Sequence, residues 1–213
     1  MPHAVFVETD LDGRGAAAAY AAELPGCATF AETDVDAVAL IPGRVASFTA
    51  WLRERGEEAP SFVGGSWYEV ERAAATGADG TRRRAAFSLD ELPPSEPEFR
   101  RYCAWLELAR EELADALDAH GMHAGAAERE LLASIVAQDQ ALAAELGAKP
   151  GTLPSDEVDR LYAARDALTA ALERAGPSGE GVRRALRLAI ADDLRAAHRL
   201  REATESCAAG PTR

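Results

Sequence analysis

The chain has 213 residues, with 23 basic and 36 acidic side chains and a net charge of −13. That charge repels phosphate backbones, so generic nucleic acid is not an expected partner. An apolar share of 47% excludes a wholly disordered chain, although much of it is alanine, which favours helix and buries little area per residue. The three cysteines, Cys27, Cys103 and Cys207, are far apart and form neither a disulfide framework nor a zinc pattern. Glu8 and Asp10 stand where a signal peptide would have its apolar stretch. The longest near-apolar run, Gly15–Ala22, is far below the ~20 residues of a membrane span. The expected location is the cytoplasm, with no membrane partner.

In chain order, His3–Thr9 reads as a strand rich in β-branched and aromatic residues, followed by turn chemistry at Asp10–Gly13. Residues 15–23 are a second strand candidate, alanine-rich, and Cys27–Ala31 a third after the Pro25-Gly26 turn. Thr33 or Asp34 can cap a helix carrying Val35, Val38, Val45, Phe48 and Leu52 at helical spacing. Pro42 sits inside that helix and is expected to kink or split it, and Gly56 ends it. Ser61–Arg72 and Arg84–Leu89 are strand candidates around a Gly/Asp-rich turn. The character changes near residue 92. Pro93–Pro97 reads as a stiff linker. The charge is −7 over residues 1–92 and −6 over 93–213, so neither half is a basic arm.

The second half predicts four helices, near 98–119, 125–146, 155–175 and 180–205, with Ser155 capping the third. The first carries Phe99, Tyr102, Leu106, Leu113 and Leu117 on one face. Amphipathic helices of similar length on short Gly/Pro connections suggest a four-helix bundle over residues 98–206 and a disordered tail over 207–213. The expected fold class is α+β.

Three charges fall on apolar seams. Asp139 lies on the stripe of Leu132, Ile135, Val136, Leu142 and Leu146. Arg165 lies between Leu161/Tyr162 and Leu168/Leu172, and Asp193 between Ile190 and Ala197. A lone buried charge is costly, so three of them imply mutual pairing. They form a ligand or active-site cavity, or a structural ion-pair network, or they are solvated because the seams are displaced by one residue. Two carboxylates and one guanidinium leave a net negative charge, which calls for a further donor, with Tyr162 or a water as the candidate. His120, His123 and His198 are weak metal candidates by residue type. Cys27 reads as a buried small side chain more readily than as a nucleophile. Gly64–Trp67 does not form a nucleophile elbow, and Gly13–Gly15 is too short for a phosphate loop. Arg82–Arg84 reads as a solvated strand edge.

Glu23–Pro60, with Pro25, Gly26, Cys27, Thr29, Thr33, Asp36, Ala37, Gly56, Glu57 and Pro60 in order, resembles the HicB-like antitoxin family over roughly residues 3–72. The resemblance implies a small β-β-β-α-β fold, a partial ribonuclease-H-like sheet without nuclease residues. It also implies that the domain binds a small protein or serves as an assembly module. Pro42 departs from the family's uninterrupted helix, and the DNA-binding appendage of an antitoxin is not evident. The segments 130–146 and 183–200 resemble the DinB-like four-helix family, whose active members hold a metal on three histidines. Here Ser134 stands in the matching part of the second helix, and Ala191 or Asp192 with Arg195 or Ala196 in that of the fourth. His198 is out of register. The resemblance therefore implies neither cofactor nor metal. It points to a non-enzymatic interaction or regulatory protein that forms a homodimer. The alternative is a divergent transferase or hydrolase dependent on a metal or a thiol cofactor.

Overall fold

The first strand, β1 (His3–Thr9), sits in the middle of a four-stranded sheet ordered β3-β2-β1-β4. In this computed structural model, residues 3–60, 65–75, 83–120, 125–149 and 151–208 are described, with residues 206–208 described for the backbone alone. The fold is mixed α+β, and the chain divides into two units, Met1–Leu92 and Pro93–Arg213.

In the first unit the element order is β-β-β-α-β: β1, β2 (Ala17–Ala21), β3 (Ala28–Ala31), α1 (Asp34–Glu54) and β4 (Trp67–Ala74). β2 is antiparallel to β1 and β3, whereas β4 runs parallel to β1 after the crossover through α1. Alanine is a poor strand former, but β2 is buried along its whole length, and packing overrides propensity. The register Val7↔Ala19↔Thr29 defines the sheet face beneath α1, because the Thr29 hydroxyl donates to the Ala37 carbonyl at 2.6 Å. Ala37, Ile41, Val45, Phe48 and Leu52 recur at helical spacing and are buried. Thr33 caps the helix by accepting from Asp36 N at 3.1 Å.

Pro42 does not split α1, which runs unbroken through it. The proline points away from the sheet, while Ile41 and Val45 on either side hold both halves of the helix down. α1 is also long and apolar enough by length and composition to cross a membrane, contrary to the expectation that no segment is, although only a third of its apolar window is buried. At the exposed edge, β4 carries a bulge at Val70, between the pairs Val5↔Glu69 and Phe6↔Glu71. Bulges and charges of this kind discourage edge-to-edge pairing.

The opposite sheet face carries Phe6, Glu8 and Tyr20. Here the expected strand Arg84–Leu89 is absent: the segment is extended without a ladder partner and then closes a 3-10 turn at Ser88–Glu91. What holds it is the carboxylate of Glu8, which has no exposed surface. Glu8 accepts from the Tyr20 hydroxyl at 2.7 Å, from Arg84 Nε at 3.1 Å and from Ala85 N at 2.5 Å. Phe87 stacks on Phe6 with ring centroids 4.8 Å apart. Arg84 is thus mostly buried and paired rather than part of a solvated edge, while Arg82 lies outside the described residues. Ser61–Gly64 lie outside them as well, and the described strand there is Trp67–Ala74.

The second unit contains α2 (Glu96–His120), α3 (Ala126–Glu145), α4 (Glu157–Ala175) and α5 (Val182–Ala208). Ser95 and Glu98 cap α2 reciprocally, with Ser95 N donating to Glu98 Oε2 at 2.8 Å and Glu98 N to Ser95 Oγ at 3.4 Å. Pro97 therefore stands in the first turn of α2, where it costs no helical hydrogen bond, and the linker is shorter than expected. Asp156, not Ser155, caps α4, accepting from Val158 N at 2.9 Å and Asp159 N at 3.1 Å. α5 extends to Ala208, into the expected tail, and residues 209–213 lie outside the described residues. α2 lies along α5 and α3 along α4, and α3 also touches α5. Leu113, Leu132, Ile135, Leu161, Ala197 and Leu200 belong to one apolar cluster drawn from all four helices.

Glu8→Ala is expected to destabilise the protein by roughly 3–5 kcal/mol, since it removes the buried carboxylate that balances the Arg84 charge and accepts from the Tyr20 hydroxyl and the Ala85 amide. Urea unfolding of the variant against wild type checks this.

Candidate functional site

Asp139 on α3, Arg165 on α4 and Asp193 on α5 are all buried, with 3%, 3% and 2% of their surface exposed. Their seams are therefore not displaced. Arg165 Nη2 donates to Asp193 Oδ1 in a short charge-assisted contact. The remaining helix, α2, contributes Arg110, whose side chain is 11% exposed. Its Nη1 donates to the Thr169 hydroxyl and its Nη2 to the Arg165 carbonyl at 3.2 Å. Thr169 donates to the same carbonyl at 3.0 Å. Each of the four helices thus sends one ionisable side chain into a shared interior region.

Sequence reasoning missed Arg110. Its signal was the gap in the α2 stripe between Leu106 and Leu113, where position 110 continues the helical spacing. Tyr162 does not serve as the further donor: it is 47% exposed. The buried stripe of α4 is Leu161, Ala164, Arg165 and Leu168, and position 162 lies at its margin.

The layer is not fully satisfied. Asp139 Oδ2 is buried without a donor, and Arg165 Nε and Arg110 Nε lack acceptors. Burial pushes the Asp139 carboxyl up to about 7, the nearby Asp193 charge adds to this, and Arg165 and Arg110 oppose it. Burial also raises Asp193, against the pull of Arg165 and Arg110. Asp193 holds the direct contact to a guanidinium and Asp139 does not, so Asp139 is the carboxyl of the pair that takes up a proton first as pH falls. Each arginine of the layer has one carboxylate partner, Asp193 for Arg165 and the exposed Glu107 for Arg110.

A neighbouring cavity is not lined by this layer. It measures about 330 Å³ and lies between α3, α4 and their connection, with walls that include Ala143, Ala144, Leu153, Ala163, Ala164 and Ala167. None of Arg110, Asp139, Arg165 and Asp193 lines it.

The histidines are not gathered. His120 Nδ1 lies 2.8 Å from the Thr204 hydroxyl, and His198 is exposed beside Glu202 at 3.3 Å. His123 lies outside the described residues. Among the described residues, no group of three or more His, Cys, Asp and Glu side chains is placed to hold a metal ion. Cys27 is fully buried, and burial pushes its thiol up to about 12, which opposes a nucleophilic role. Comparison with protein-family models, with curated proteins and with solved structures found no match.

Arg165→Leu is expected to cost roughly 3–5 kcal/mol, because Asp193 then keeps a buried charge without its partner. Calorimetric or chemical unfolding reads it directly. Asp139 supplies a pH signature. Its folded pKa is about 7 against 3.8 for a free aspartate. The folded state therefore binds more protons between those values, and this group's contribution to stability falls as pH rises through that window. Asp139→Asn keeps the site neutral at every pH. The variant is expected to be more stable than wild type at pH 8, by an amount on the order of a few kcal/mol, and to lose that advantage near pH 5. Melting temperatures of both proteins across this range check the sign.

Proposed function

We propose that the protein is a non-enzymatic interaction or regulatory module, a HicB-like sheet domain joined to a DinB-like four-helix unit. The β-β-β-α-β order of residues 1–92 agrees with the HicB-like resemblance, and the four helices of the second unit agree with the DinB-like one. The observation that carries the functional reading is the charged layer itself. The interior of the helical unit holds Arg110, Asp139, Arg165 and Asp193, with Arg165 paired to Asp193, Arg110 held by Glu107, Thr169 and the Arg165 carbonyl, and none of the four lining the neighbouring cavity. An Arg-carboxylate pair occupies ligand directions that a metal centre would need free. Ser134, which stands in the region where the resemblance expects a histidine, is exposed and donates to the Leu131 carbonyl of its own helix. A protein of this kind acts through its surfaces, with a small protein or a second copy as partner.

The test is metal loading. Protein purified without chelators is expected to carry no stoichiometric zinc or nickel by elemental analysis, and added zinc or nickel to leave its melting temperature unchanged. A ligand that binds only the folded state must raise that temperature. About one bound metal per chain together with a higher melting temperature would overturn the reading in favour of a metal-dependent transferase or hydrolase.

A further inference from the structure

α1 carries more apolar surface than its own sheet uses. Its inner face is buried, yet Val35 is 72% exposed and Leu40 53%. Ala39, Pro42, Gly43, Ala46 and Ala50 are exposed too. Val35, Ala39, Pro42, Ala46 and Ala50 follow spacings of three and four, so they form one outward stripe, with Gly43 beside its middle. Between Val35 and Ala50 the stripe bears no charge. A helix that is apolar on both faces is normally covered on both.

The ends of the stripe identify what covers it. Continued by the same spacing, it reaches Arg53 in the last turn, and at the other end the chain enters the helix through Glu32, which lies outside it, just before the Thr33 cap. Both are exposed, and among the described residues neither side chain has an ion pair or a hydrogen bond. Laid antiparallel on an identical helix, the stripe matches itself. Val35 meets Ala50, Ala39 meets Ala46, Pro42 meets Gly43, and Glu32 meets Arg53 at each end. The small residues fall at the centre, where two helices must approach most closely. Antiparallel packing also opposes the two helix dipoles. A parallel pair would set Glu32 against Glu32 and Arg53 against Arg53. The β4 edge, bulged and charged, is a poor competitor for the same role.

We infer that the protein forms a two-fold symmetric homodimer through the outward face of α1, with the two helices antiparallel and Glu32 of each copy paired to Arg53 of the other. This deepens the interaction reading above and rests on it. The contact is about 30 Å long and one helix wide, below the size of a tight interface, so a Kd on the order of 10 µM is expected.

Sedimentation or light scattering of the full chain, up to about 200 µM, measures the dimer, well above and below that Kd. Ala46→Glu places a charge at the centre of the stripe and should leave only monomer, with helix content and melting temperature at low concentration unchanged. Arg53→Glu and Glu32→Arg should each weaken the dimer roughly tenfold, and the double variant should restore it. Within one chain the two sites are a helix length apart, so rescue reports contact between copies. Three results would overturn the pairing: a wild type that stays monomeric, a dimer that survives Ala46→Glu, or a double variant that stays weak. A monomer that co-sediments with phosphatidylcholine vesicles also overturns it and assigns the face to a membrane. Bound metal in the loading experiment would instead remove the interaction reading and leave a measured dimer standing.

Discussion

A carboxylate leaves water only when donors surround it, and that constraint organises both units of the chain. Glu8 meets it in full: a hydroxyl, a guanidinium and a backbone amide converge on it, and two of the three come from a segment more than seventy residues away. The segment 83–91 is therefore drawn across the sheet face instead of along its edge. Asp193 meets the constraint through Arg165. Asp139 does not meet it, and burial pushes its carboxyl up to about 7 instead. One rule thus gives three outcomes, decided by how many donors reach each group.

Alanine is the second theme. A strand of four alanines and a tyrosine is weak by propensity, but its short side chains let a helix and an aromatic strap close on the sheet from opposite sides. In the helical unit, Ala164 and Ala197 share a core with Leu113 and Leu161. The cost of this economy is little area buried per residue. The compensation comes from polar ties between helices, including Arg201 to Glu112 and Arg184 to Glu145. The outward face of α1 is the same chemistry left open.

Much of this was legible in the sequence because helical periodicity survives the loss of detail. Position alone sets Asp139, Arg165 and Asp193 on apolar seams while leaving open whether those seams are displaced, and each is buried. What escaped depended on distant parts of the chain. Arg110 continues the α2 stripe between Leu106 and Leu113, but a charge at one seam position gains meaning only from the three charges on the helices opposite. Tyr162 was misplaced by one position on a narrow stripe, which suffices to move a side chain to the surface. The segment 84–89 has the composition of a strand, but its fate was set by Glu8, far away in sequence. Pro42 should break a free helix, yet the sheet contacts of Ile41 and Val45 outweigh one missing hydrogen bond.

The charged layer and the α1 face also differ in what they give the protein. Replacing a buried ion pair by well-packed apolar side chains is often neutral or stabilising, so the layer is not explained by stability alone. What it adds is register. An apolar helix can slide by a turn against its neighbours at small cost, whereas a turn's slip here would separate Arg165 from Asp193 and leave both charges buried. The α1 face works the other way. Its centre is apolar and tolerates several alignments, and only the end charges choose between parallel and antiparallel. In both places apolar contact supplies attraction and sparse charge supplies the choice among arrangements. A chain with so much alanine needs that division, because small identical side chains discriminate poorly among alternative packings.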